Sequence, residues 1–192
     1  ITSGDIENKD EVEKPDENLF HSNIEGAINI DLNNLSNDSK TYEYKDDVLT
    51  ISNEGVYALS GTLNGALVVK GDASSITIIL YNATIATLDA QNVPAITFEK
   101  HNGERILSAY QNTLNSLSDS IGDDENGEGA IIQAKKSSLI INGAGTINLI
   151  SKGEEVTALK VKKDLSIFSV TLNINTSDHG IKAGELLSIH NA

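Results

Sequence analysis

Residues 158–167 read ALKVKKDLSI and residues 180–189 read GIKAGELLSI. Leu159 answers to Ile181, Lys160 to Lys182, Leu165 to Leu187, Ser166 to Ser188 and Ile167 to Ile189, each 22 residues on. A chain that rewrites a short string at a fixed interval is built from stacked units, and this constrains the fold before any local propensity does. From about residue 46 the sequence consists of short β-branched strings: VLTI, YALSG, ALVV, SITIIL, AITF, AIIQA, SLIIN, TINLI, ALKV, LSI and TLNI. Gly, Asn, Asp and Ser separate them. Each string has strand length and strand-type residues, with one apolar face.

The strings align in columns. One runs Ile76, Ile106, Leu139, Leu165, Leu187. A second runs Ile96, Ile131, Leu159, Ile181, each after a small residue (Ala95, Ala130, Ala158, Gly180), and a third runs Ile85, Ile147, Leu172. The steps shorten from about 30 to 22 residues, so the unit has a constant frame and variable loops. Parallel strands stacked at about 4.8 Å satisfy this pattern, with apolar columns inside and extra residues in the turns. The fold expected is all-β: a single-domain parallel β-helix, or solenoid, over residues 21–192. A β-sandwich also spaces its strands at 8–12 residues, but needs no matching residues 22 apart.

Charge divides the chain unevenly. The net charge is −14, and residues 1–47 hold 13 of the 28 acids against four lysines. Residues 1–20 are apolar-poor and aperiodic and read as an acidic linker or tether. Arg105 is the one arginine, so nucleic acid is a poor partner, because phosphate binding needs clustered Lys and Arg. Without Cys there is no disulfide, thiolate metal site or cysteine nucleophile. No apolar run approaches the roughly 18 residues of a membrane-spanning helix. A start without Met fits a processed or trimmed amino terminus, which leaves room for a removed signal peptide that the sequence does not display. The chain stops at LLSIHNA, part-way through a coil. A stack end left open invites edge pairing, so a longer parent protein is expected, with an end-to-end homodimer as the alternative.

Four blocks, DDVLTISNEGVYALSGTLNGALVV, GAIIQAKKSSLIINGAGTINLIS, KKDLSIFSVTLNI and SDHGIKAG, resemble the bacterial secreted carbohydrate-binding domain family. That family has a polysaccharide-lyase-like (pectate-lyase-like) right-handed parallel β-helix. The resemblance covers residues 46–192, with GVYALSGTL and LIINGAGTINL its most specific parts. It implies a right-handed coil, binding of cellulose-like or acidic pectin-type sugars, Ca²⁺ between coils, a secreted or cell-surface location and no established catalysis. The family's turn pattern, two acids then Gly and Ile, is matched in part by Ser177, Asp178, His179, Gly180 and Ile181. One coil earlier, EEVTALKV lacks the Gly.

Column arithmetic offers a metal site. Glu128 lies three residues before Ile131, Asp178 three before Ile181, and Glu155 four before Leu159. Stacked carboxylates repel unless a cation joins them, and Ca²⁺ takes oxygen ligands. The insertion SDSIGDDENGEG (118–129) adds Asp119, Asp123, Asp124, Glu125 and Asn126 beside the same turn, though without EF-hand spacing. The alternative is a solvated acidic loop.

Sugars stack on exposed rings and pair with planar polar groups. Tyr81 and Tyr110 occupy similar frame positions one coil apart, suited either to a paired sugar-binding platform or to partial burial at a coil corner. Asn82, Asn112, Asn142, Asn173 and Asn175 are expected at or near corners in a structural role, since Asn tolerates left-handed backbone. A calcium-dependent lyase would draw its base from Arg105, Lys135, Lys136, Lys160, Lys162 or Lys182. A self-associating adhesive module is the third reading.

Overall fold

The structure, a computed structural model, describes residues 24–71, 75–88, 93–100, 102–119 and 129–192. The acidic stretch 1–20 lies outside them. Among the described residues every regular element is a strand, and no helix is long and apolar enough to cross a membrane. The first five are β1 (Ile28–Asp31), β2 (Glu43–Lys45), β3 (Val48–Ile51), β4 (Gly55–Asn64) and β5 (Ala66–Val69). Next come β6 (Ile76–Ala86), β7 (Ile96–Phe98), β8 (Arg105–Ala109), β9 (Leu114–Asp119), β10 (Ala130–Ala134) and β11 (Leu139–Gly143). The last six are β12 (Thr146–Ser151), β13 (Thr157–Val161), β14 (Leu165–Phe168), β15 (Thr171–Asn175), β16 (Ile181–Ala183) and β17 (Leu187–His190).

Two sheets result. One has ten strands, in the order β15-β12-β9-β6-β8-β11-β14-β17, with β4 also against β6 and β1 against β4. The other has seven, β16-β13-β10-β7-β5-β3-β2. Every described pairing is parallel except that of β2 with β3. Those two form a hairpin through Asp46 and Asp47, both left-handed (φ 50° and 59°). Parallel neighbours cannot be joined by tight hairpins, which removes the sandwich.

The repeated decapeptide stacks on itself as its spacing requires. Leu159 pairs with Ile181 and Lys160 with Lys182, while Leu165, Ser166 and Ile167 pair with Leu187, Ser188 and Ile189. The second column extends further back than the sequence suggests, to Leu49 and Leu67, which lead through Ile96. Its next member is Ile132, not Ile131, since Ile132 pairs with both Ile96 and Leu159. Leu49, Leu67, Ile96, Ile132 and Leu159 are fully buried, each contributing about 1.5–3 kcal/mol of transfer free energy.

Two other columns need correction. Arg105, rather than Ile106, stands between Ile76 and Leu139 in register. Its guanidinium is buried and donates from Nη2 to the Gly71 carbonyl (2.6 Å) and from Nη1 to that of Glu104 (2.9 Å). Ile147 pairs with Leu172 as expected, but Ile85 sits level with Leu117 and Leu149. The offset arises because β6 bends. Residues Ile76–Leu80 pair with β8, Thr84–Ala86 pair with β9, and Asn82 between them has φ 53°. Asn112 (φ 58°) also takes the corner geometry expected of it. Asn142, Asn173 and Asn175 are strand residues of β11 and β15, with Asn142 next to a corner instead of on it. In β11 the corner falls to Gly143 (φ 117°), where a Cβ would lie 2.1 Å from the Ala109 carbonyl oxygen.

Candidate functional site: a bent corner and an uncharged face

At the bend of β6 the chain sets out two rings. The Tyr81 and Tyr110 centroids lie 5.1 Å apart with planes at 63°, an edge-to-face pair, and Tyr81 is 38% exposed. The pairing follows from register: Leu80 opposes Ala109, and the Tyr110 N–H donates to the Leu80 carbonyl (3.0 Å). Edge-to-face contact is a favoured aromatic geometry and leaves ring surface free.

One buried amide braces this corner. Asn115 occupies an inward position of β9 with no exposure. Its Oδ1 accepts from the Ala83 N–H (2.9 Å), two residues beyond Tyr81. Its Nδ2 donates to Thr113 Oγ1 (3.0 Å) and to the Thr146 carbonyl (3.1 Å). Thr113 Oγ1 in turn donates to the Tyr110 carbonyl (2.6 Å). The side chain therefore holds the backbone behind both tyrosines. It also satisfies an N–H that the bend withdraws from the strand ladder, where a buried orphan is costly.

Beyond the bend, β4, β6, β9, β12 and β15 present an outward row. Thr62 pairs with Thr84, Thr84 with Ser116, Ser116 with Asn148 and Asn148 with Asn173. Their chain neighbours Leu63, Ile85, Leu117, Ile147 and Leu149 are buried, so the row itself faces solvent. Hydroxyls and amides thus recur at every strand, about 4.8 Å apart, and Asn173 Nδ2 donates to Asn148 Oδ1 (2.9 Å). Flanking positions are Thr146 and Thr171 on one side and Ile150 and Asn175 on the other, with Leu114, 62% exposed, nearest the tyrosines. None of these residues is charged, in a chain where 22% of residues are. Of the row only Asn173 was singled out from sequence, and there as a corner residue. The row's signal was the lack of Lys, Arg, Asp and Glu in TINLIS and TLNIN.

Of the five metal candidates, Glu155 and Asp178 lie among the described residues. Asp123, Asp124 and Glu128 lie outside the described residues. Glu155 is exposed at a left-handed turn position (φ 57°). Asp178 has both oxygens engaged: His179 Nδ1 donates to Oδ1 (2.7 Å) and Thr157 Oγ1 to Oδ2 (2.9 Å). The His179 hydrogen bond first, then that of Thr157, lowers the Asp178 carboxyl to a pKa of about 2. Each Asp178 oxygen thus already accepts one hydrogen bond, and among the described residues no three Asp, Glu or His lie together as metal ligands. The basic residues are no better assembled. Arg105 is committed to main-chain carbonyls, its pKa lowered by burial, and Lys160 is buried in register with exposed Lys182.

A family model described as carbohydrate-binding domain-containing protein matches residues 45–192. The chain belongs to this family. Its match begins at the β2–β3 hairpin and takes in the bend, both tyrosines and the whole of the outward row. Neither the curated proteins nor the solved structures contain a match to the chain.

Proposed function

We propose that this protein is a non-catalytic, extracellular polysaccharide-binding module, built as a right-handed parallel β-helix, that holds an uncharged glycan across the strands of its ten-stranded sheet. The observation that carries the reading is the Thr62–Thr84–Ser116–Asn148–Asn173 row, with the Tyr81–Tyr110 corner set three residues before Thr84 on β6. Amides and hydroxyls donate and accept in turn, as sugar hydroxyls do. A row without charge suits a neutral, cellulose-like chain better than a pectin-type polyanion, which the acidic protein would repel. Engagement of Arg105 with carbonyls supports binding without chemistry over the lyase alternative.

Affinity electrophoresis in gels containing hydroxyethylcellulose or polygalacturonate tests the proposal. Retardation by the neutral polymer should fall in Tyr81→Ala and in the Asn148→Ala/Asn173→Ala double variant. Undiminished retardation in both would remove the row as the site, and stronger retardation by polygalacturonate would reverse the sugar class. Unsaturated products from polygalacturonate with Ca²⁺, seen in the ultraviolet, would establish the lyase instead. Calcium is a separate proposal that rests on the composition of residues 118–129, and no step of sugar binding is routed through it. Self-association is a second reading, favoured by the exposed Leu186, Leu187 and Ile189 at β17. Sedimentation across a concentration series tests it.

A further inference from the structure

A cavity of about 370 Å³ opens where the β2–β3 hairpin meets the second half of β4. The hairpin can dock there because residue 65 has no side chain. The Ala66 N–H donates to the Asp47 carbonyl (3.0 Å), and a Cβ on Gly65 would lie 1.9 Å from that oxygen. Around the cavity stand Tyr44, Asp47, Asn33, Thr62 and Asn64. The Tyr44 hydroxyl donates to Asp47 Oδ1 (3.2 Å). Asn33 is fixed from both ends: its Oδ1 accepts from the Thr62 N–H (3.1 Å) and its Nδ2 donates to Asp31 Oδ1 (2.9 Å). Thr62 is also the first member of the outward row, so the cavity continues that row at its β4 end.

We infer that this cavity is a subsite for a single uncharged sugar ring with free vicinal hydroxyls. The inference rests on reading the row as a glycan track and adds to it a place where one ring is gripped. The volume falls in the range of small-molecule pockets. Tyr44 supplies ring surface, Asp47 accepts hydroxyl protons in charge-assisted bonds, and the Asn64 amide both donates and accepts. Asp47 lines the cavity and neither Lys nor Arg does, so a uronate carboxylate would meet repulsion without compensation. Partial burial, then the Asp47 hydrogen bond, raises the Tyr44 pKa and keeps its hydroxyl a neutral donor.

The test is saturation-transfer NMR on the full chain with methyl glycosides of glucose, galactose, mannose and xylose, and with methyl galacturonoside. At least one neutral glycoside should bind, and the uronide should bind more weakly than it does. Asp47→Asn keeps the left-handed turn and the backbone bond to Ala66, and should weaken binding about tenfold. Asn64→Ala, at the exposed end of β4, should weaken it without touching the hairpin. Binding by none of the four neutral glycosides, equal binding of the uronide, or indifference to both cavity variants overturns the subsite. If the polymer is still retarded in that case, the row stands alone; if retardation is also absent, both readings fall.

Discussion

Replacing Asn115 by Leu tests how the tyrosine corner is held. The change keeps a buried side chain of broadly similar size and deletes every polar atom. The Ala83 N–H then loses its acceptor in a position without exposure, at about 1–3 kcal/mol for a buried unsatisfied donor. Thr113 Oγ1 and the Thr146 carbonyl each lose a donor. Those losses are smaller, because a hydroxyl can rotate and a carbonyl has a second lone pair, and together add about 1 kcal/mol. The total, about 2–4 kcal/mol, corresponds to a fall in melting midpoint of about 4–16 °C for a domain of this size. The same Asn-to-Leu change at exposed Asn173 should stay within roughly 0.5 kcal/mol of wild type. Circular dichroism melts of both variants measure the contrast. Below its midpoint, Asn115→Leu should also show weaker retardation by hydroxyethylcellulose, because Ala83 and Tyr110 are no longer tied to one brace. A midpoint within about 2 °C of wild type would refute the reasoning, since a bend that needed no internal acceptor would not be held by this side chain.

Leu165→Ala should cost about 2–5 kcal/mol, and Leu187→Ala less than half of that, because Leu187 in the next strand is 43% exposed; urea denaturation orders the two. Asp178 has a folded-state carboxyl pKa of about 2, below its ordinary 3.8. Its stabilisation is therefore complete above the ordinary carboxylate range and is lost as pH falls through about 2. Asp178→Asn should melt lower than wild type near neutral pH, with the gap closing as acid protonates the native carboxylate. If residues 118–129 hold calcium, Ca²⁺ at a hundred times its Kd adds about 2.7 kcal/mol, so EDTA should lower the midpoint by several degrees; an unmoved midpoint discards the ion.

The stacking of successive circuits was legible wherever their lengths matched. The 22-residue steps at Leu159–Ile181 and Leu165–Leu187 place each pair in register without any turn geometry being known. Register was harder to read where composition misleads. AIIQA offers two adjacent isoleucines, and only the strand pairing chooses Ile132. At the start of β8 hydropathy favours Ile106, yet Arg105 takes the column position by sending its guanidinium to main-chain carbonyls. Ile85 is displaced because a bend at Asn82 shifts everything after it, and a bend leaves no mark in an alternation pattern. The tyrosine pair was visible as two rings at one frame position. The outward row was hidden because Asn and Thr read as turn residues until pairing shows Asn148 and Asn173 side by side in mid-strand.

On the proposed reading the five members of the row are near-equivalent rungs, so a polymer of identical sugars would meet several degenerate seats instead of one. Shifting by one rung would break few contacts at a time, and a bound chain would creep along the sheet without letting go. Its residence would then grow with the number of rungs engaged rather than with the strength of any single one.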